Sequence, residues 1–279
     1  MDSKRTVILK LGFMQGRLIN SEKKNRIQYF PEKNWAKEFN IANKNNFKIM
    51  EWTINSENMF KNPLYHGNLS SVKKMMKRYK IKIPSVTCDY FMQEPFFRID
   101  KKKEKNKIIG NLKKIIINGN KIRIKYYIFP LVDNSSIKSS SEENILINEI
   151  KKILKILNKK ALILFETDYP PHKIINFIKK FKSRKIGINY DTGNSASLNY
   201  NFDDEVKYLK YIKNIHIKDR VLNGHSVRLG KGNWDYKKFF NLIKKNYKGN
   251  FILQTARNKD KKHIFEINTN RKFFENEYK

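Results

Sequence analysis

Four residues in the second half of the chain have the types and spacing to hold a divalent cation. They are Glu166 in ALILFETD, Asp191 in KIGINYDTGN, His216 in YIKNIHIKDR and Gln254 in GNFILQTAR, each at the end of a short apolar run. Two carboxylates, an imidazole and a carboxamide form a hard, oxygen-rich ligand set that suits Mn²⁺, Mg²⁺, Co²⁺ or Zn²⁺. No thiolate can join them as a cluster, because Cys88 is the only cysteine. A divalent cation that chelates neighbouring hydroxyl and carbonyl oxygens of a sugar acidifies the carbon-bound proton and stabilises the enediolate left behind. A carboxylate beside it serves as the base, and Glu166 is the candidate. Each residue also has a plainer reading. His216 alone would be a hydrogen-bonded structural histidine, Asp191 a turn or helix-capping residue, and Asp168 a rival to Glu166 as the pocket-facing carboxylate.

Residues this far apart converge only if the elements carrying them share one face. Strand-like runs at 7–13, 47–53, 81–91, 122–132, 161–166, 185–191, 212–219 and 250–255 alternate with helix-like segments. The helical segments fall at 32–46, 68–80, 100–119, 142–159, 170–182, 203–211 and 234–247, with a last one toward the C-terminus. Eight such units predict a parallel sheet closed into a single (β/α)8 TIM barrel, one domain over 1–279. A doubly wound open sheet is the competing fold, but the first unit carries no GxGxxG fingerprint and no insertion marks a second domain. In a barrel the carboxyl ends of all strands point to one face, and the four candidates stand at such ends. The Ser-rich stretch 135–141 reads as a loop on that face.

The formal charge of +34 points first to nucleic acid. Only 11 of the 60 basic residues are Arg, however, and the Lys is spread through a chain that is also rich in Asn and Ile. AT-biased coding enriches those three together, so the charge reads as a solvated surface rather than a phosphate-binding face. A lone cysteine, no apolar run of membrane-spanning length and no signal-peptide pattern lead to the expectation of a cytoplasmic protein without a membrane partner.

The motifs GFMQGRL, MEW, FETD, NYDTGN, HIKDR, LGKGNWDY and FILQTAR, in that order over nearly the whole chain, resemble the xylose isomerase-like TIM barrels. The resemblance is to their sugar (phosphate) isomerase/epimerase branch, relatives of ketose 3-epimerases and AP endonucleases. It implies a metal held by Glu166, Asp191, His216 and the residue at position 254, with a sugar or sugar phosphate as substrate. It also implies two glutamates that exchange the substrate's proton. Gln254 departs from that pattern: a carboxamide can ligate through oxygen but cannot act as a base near neutral pH. The site therefore loses one negative charge, and a two-base epimerisation loses one of its groups. One-base isomerisation by Glu166 remains open, as does a non-catalytic carbohydrate-binding barrel.

The catalytic candidates are thus Glu166 and Gln254, and the substrate-binding candidates Glu51, Asp168, Asn194, Lys218, Arg220, Arg257 and Arg17. Gly230 and Gly232 in LGKG are candidates for presenting backbone N–H groups to an anion. Asn194, where several relatives carry histidine, and the total of five histidines argue against the trinuclear zinc arrangement of an AP endonuclease. Trp52 could wall a sugar ring, although core packing is the plainer reading. Homo-oligomerisation is left open by the sequence.

Overall fold

The structure is a computed structural model that describes residues 10–20, 28–257 and 260–279. Its strands are β1 (Leu11–Met14), β2 (Ile49–Ile54), β3 (Lys82–Cys88), β4 (Tyr126–Leu131), β5 (Leu162–Thr167), β6 (Ile186–Asp191) and β7 (Ile212–Ile217). A two-stranded antiparallel hairpin follows, β8 (Asp219–Arg220) with β9 (Ser226–Val227), and then β10 (Asn250–Leu253). Apart from the hairpin, all strands pair in parallel in the order β1-β10-β7-β6-β5-β4-β3-β2, and β1 closes the barrel by pairing with both β10 and β2. This is the (β/α)8 barrel that the alternating runs predict. No helix among the described residues is long and apolar enough to cross a membrane.

Three local expectations are corrected. The third predicted strand, 81–91, stops at Cys88, and the chain turns directly into a short helix, Asp89–Gln93. The segment 203–211 is a single helical turn, Phe202–Glu205, running into a 3-10 stretch, Val206–Tyr211. Part of the Ser-rich stretch is helical: the helix Ser140–Ile153 starts there, capped by the Ser139 hydroxyl, which accepts the Glu142 N–H. Residues 7–9 of the first predicted strand lie outside the described residues.

Strand side chains alternate between two environments. Outward-facing ones join a continuous apolar layer between barrel wall and helices. Trp52 belongs to it, packed at tilted and edge-on angles among Phe30, Trp35 and Phe39 with its indole N–H donated to Asn62, so it is core and no wall for a sugar. Inside the barrel the buried apolar cluster is small, Tyr126, Ile128 and Leu164. Next to it, beyond the apolar Met14 and Ile252, lies a layer of buried polar side chains, and the candidate centre is built there.

Gly187 on β6 shows how tight the wall is. A Cβ at this position would lie 2.9 Å from both Leu164 Cδ2 and the Tyr211 carbonyl oxygen. A backbone oxygen cannot swing aside, so Gly187→Ala is expected to cost about 1–3 kcal/mol, read as a lower urea midpoint with unchanged slope.

Candidate metal centre

Inward-facing positions on four strands supply one polar layer. Alternation puts Glu51 and Thr53 of β2, Ser85 and Thr87 of β3, Asn189 and Asp191 of β6, and Asn214 and His216 of β7 on the lumen side. The bonds between them cross the barrel. Glu51 accepts from Ser85 at 2.7 Å, Thr87 at 2.5 Å and Asn214 at 3.0 Å, and its Oε1 lies 2.6 Å from His216 Nε2. Asn214 also donates to Asn189 Oδ1 at 2.8 Å. The other edge of the imidazole, Nδ1, faces Glu166 Oε2 at 3.0 Å and Asn189 Nδ2 at 2.9 Å. His216 is thus gripped between carboxylates of opposite walls, with no exposed surface.

Glu166, Asp191 and His216 each bring one ligand atom into a group whose members lie within 4.8 Å of one another. The residues are buried and tightly oriented. Glu166 accepts from Asn194 Nδ2 at 3.0 Å through Oε1 and from Asn189 Nδ2 at 2.8 Å through Oε2. Asp191 Oδ1 caps the helix Thr192–Leu198 by accepting the Asn194 N–H at 2.9 Å. The capping reading and the ligand reading of Asp191 are therefore compatible, because Oδ2 is left over. That oxygen has no hydrogen bond, only the Lys218 ammonium at 3.5 Å, and Gln254 Oε1 is likewise buried without a partner. A buried polar atom left unsatisfied costs about 1–3 kcal/mol, which a cation ligated by these oxygens would offset. The donor set fits Mn²⁺, Mg²⁺, Co²⁺ or Zn²⁺.

Electrostatics follow from this burial. Burial opposes charge on His216, but the Glu51 carboxylate and the hydrogen bonds to Glu166 and Glu51 outweigh it and raise the imidazole to about 10. Burial alone would raise Glu51 and Glu166 as well; the charged His216 reverses that and holds both below the usual carboxylate range. Asp191 goes the other way. Burial raises it and the Glu166 charge adds to the effect, against the pull of Lys218.

Above this layer opens a cavity of about 250 Å³, lined among others by Glu166, Gln254, Asn194, Lys218, Arg220 and Arg17. Residues 39–274 match the family described as xylose isomerase-like TIM barrel. The chain belongs to that family. Three solved structures of similar fold illustrate it. A D-allulose 3-epimerase from Methylomonas sp., in complex with D-allulose, superposes with a TM-score of 0.74 at 11% identity, covering 97% of this chain and 97% of that one. The IolI protein with a binding zinc atom has a TM-score of 0.73 at 16% identity, covering 97% and 98%. A xylose isomerase-like TIM barrel protein from Mycobacterium smegmatis, in complex with magnesium, has a TM-score of 0.67 at 14% identity, covering 100% and 98%. None of the curated proteins matches the chain significantly by sequence. At such identities the likeness is one of fold.

Within this xylose isomerase-like frame the remaining candidates separate. Glu51 lies behind His216 and is not on the cavity wall, so it orients the imidazole as a carboxylate behind a histidine ligand does. Lys218, Arg220 and Asn194 line the cavity, with Arg220 donating to Asn194 Oδ1 at 3.3 Å and to the Gly224 carbonyl at 2.9 Å. Arg17 also reaches it while its Nε donates to the Thr255 carbonyl at 2.9 Å. Arg257 instead stitches the barrel seam, donating to the Gly16 and Ile19 carbonyls. Asp168 is half-buried, bonded to the Ser136 hydroxyl, and off the cavity wall. The expectation for LGKG is corrected. The Gly230 and Gly232 N–H groups donate to Asp219 Oδ2 at 2.9 and 3.0 Å, so they serve the loop rather than an anion. Burial raises the Cys88 thiol to about 12 and leaves it inert.

Gln254 donates its Nε2 to Gln28 Oε1 at 2.7 Å, and its backbone N–H to the Ile217 carbonyl keeps it beside β7. Gln254→Glu restores a negative charge next to the cluster. Isothermal titration with Mn²⁺ should show roughly tenfold tighter binding, equivalent to ~1.4 kcal/mol. Unchanged affinity would mean that position 254 does not face the cation.

Proposed function

We propose that this protein is a metal-dependent isomerase or epimerase of a sugar or sugar phosphate, working by proton transfer through an enediolate. The observation that carries the reading is the buried Glu166, Asp191 and His216 cluster at the strand ends, with Asp191 Oδ2 and Gln254 Oε1 beside it, neither of them accepting a hydrogen bond. A divalent cation on these residues would polarise the oxygens of a bound sugar and lower the energy of the enediolate.

The chain's own residues do the rest. Glu166 lines the cavity and is kept ionised, so it can take the proton from the carbon beside the carbonyl. Asn194 and Asn189 fix its two oxygens and so set the direction of attack. Glu51 holds the His216 ring in place through Nε2. Lys218, Arg220 and Arg17 give the cavity the cationic lining that suits hydroxylated or phosphorylated substrates. A volume of about 250 Å³ suits a monosaccharide rather than a polymer.

The test is incorporation of deuterium from D₂O into a panel of ketoses, aldoses and their phosphates, followed by NMR after reloading with each candidate cation. Exchange with one compound, lost on chelation, would establish the activity and identify the carbon. A second reading, a carbohydrate-binding barrel without catalysis, draws on Gln254; it predicts saturable sugar binding with no exchange anywhere in the panel.

A further inference from the structure

The cavity holds a second buried carboxylate that the metal cluster does not use. Asp89 follows β3 directly, continuing the lumen-side alternation of Ser85 and Thr87, and it lines the cavity together with Glu166 and Gln254. It is 6% exposed. Both of its oxygens lie 2.9 Å from Nε2 of Gln28, which donates to them, and Oε1 of the same Gln28 accepts from Gln254. One glutamine side chain therefore ties Asp89 to the position where the carboxylate is missing. A carboxamide there cannot exchange a proton, so a transfer that inverts a carbon needs its second group elsewhere around the cavity.

We propose that Asp89 is the second proton-exchanging group of the cavity, taking the part that a carboxylate at position 254 would play, with Gln28 as its positioning residue. The inference rests on the proton-transfer reading of the site. In the forward step Glu166 removes the proton from the carbon beside the carbonyl, the C–H electron pair becomes the carbon–carbon double bond of the enediolate, and the carbonyl π pair moves onto its oxygen. Protonated Asp89 then gives its proton to that carbon from the other side; the double-bond pair forms the new C–H bond, and an oxygen pair re-forms the carbonyl. The product is the epimer. The protein is left with Glu166 protonated and Asp89 ionised, the starting state for the reverse direction, and exchange with water resets it. No oxidant, reductant or co-reactant enters.

The surroundings agree with this role. Burial raises the Asp89 carboxyl to about 7; the Gln28 bond opposes the rise, the Glu166 charge adds to it, and Arg17 and His216 pull it down. A carboxyl in that range both holds and releases a proton at neutral pH.

Asp89→Asn tests the proposal, because it keeps the shape and an oxygen for Gln28 to donate to. Without any substrate, NMR titration of aspartate-labelled protein should show one carboxyl with a midpoint near 7. That signal should be absent from Asp89→Asn and shifted upward in Gln28→Met, where the bond favouring the charged form is gone. With Mn²⁺-loaded protein and a responsive ketose in D₂O, Asp89→Asn should lose epimer formation by about 10²–10⁴-fold. One-sided wash-in of deuterium by Glu166 should persist. Titration of Asp89 in the ordinary carboxylate range, or epimer formation equal in variant and wild type, would overturn the assignment of Asp89 alone. Absence of any exchange in the wild type would overturn the reading of the whole site and this inference with it.

Discussion

Glu166→Gln is expected to reduce proton exchange at the carbon beside the sugar carbonyl by about 10²–10⁴-fold while leaving the barrel folded. The substitution keeps the volume but removes the only cavity-lining carboxylate in the cation cluster that is held ionised. It also places an NH₂ group where Asn189 and Asn194 both donate, so one of those bonds turns into a donor–donor contact. A modest loss of stability should accompany the kinetic loss, visible as a lower thermal midpoint. Exchange at the wild-type rate, with cation bound, would move the base to another residue.

His216→Leu carries the largest expected effect on stability. Removing the imidazole leaves Glu51 buried opposite an apolar group, with Ser85, Thr87 and Asn214 still donating but no countercharge. Breaking one side of a buried pair costs about 3–5 kcal/mol, measurable by urea denaturation. The double variant Glu51→Gln, His216→Leu should recover part of that loss, because no charge is then stranded.

The same cluster predicts a pH dependence for cation-free protein. His216 is raised from 6.5 to about 10 on folding, so its contribution is complete below 6.5 and is lost as pH rises toward 10. Glu51 and Glu166 are lowered, so theirs is present above the usual carboxylate range and is lost as pH falls. Glu38 and Asp89, both raised to about 7 by burial, weaken the fold as pH rises to that point in wild type and variant alike. A loss of stability between about pH 7 and 9 that disappears in His216→Leu is therefore the diagnostic feature, because at higher pH the buried Cys88 thiol, raised from 9.0 to about 12, adds a loss of its own in both proteins. A cation bound to this imidazole displaces its proton, so binding at neutral pH should release about one proton.

The barrel is legible in the sequence because each buried strand is a short apolar run and each crossover helix keeps its own period. Glu166, Asp191 and His216 are legible because they stand where those runs end. The polar lumen beneath them is harder to see. Asn189 and Asn214 sit two residues before Asp191 and His216, on the same side of their strands, inside runs that look uniformly apolar. Ser85, Thr87 and Asp89 follow the same spacing of two on β3, a signal that alternation alone could have found. Reading 81–91 as an unbroken strand hid Asp89, because the strand end was placed three residues too late. The sequence suggests Glu51 near a strand end, but it stands inside β2, Ile49–Ile54, and that it faces His216 across the lumen rather than the cavity depends on barrel closure. The Gly230 and Gly232 N–H groups look available until Asp219, eleven and thirteen residues earlier, is seen to accept from both.

The most direct measurement is anomalous scattering from crystals of the protein equilibrated with Mn²⁺. The predicted result is a peak bounded by the Glu166 carboxylate, Asp191 Oδ2 and His216, absent from Asp191→Ala crystals grown in the same way. Wild-type crystals with no peak there, or with Mn²⁺ bound only elsewhere, would contradict the assignment of this cluster as a cation site.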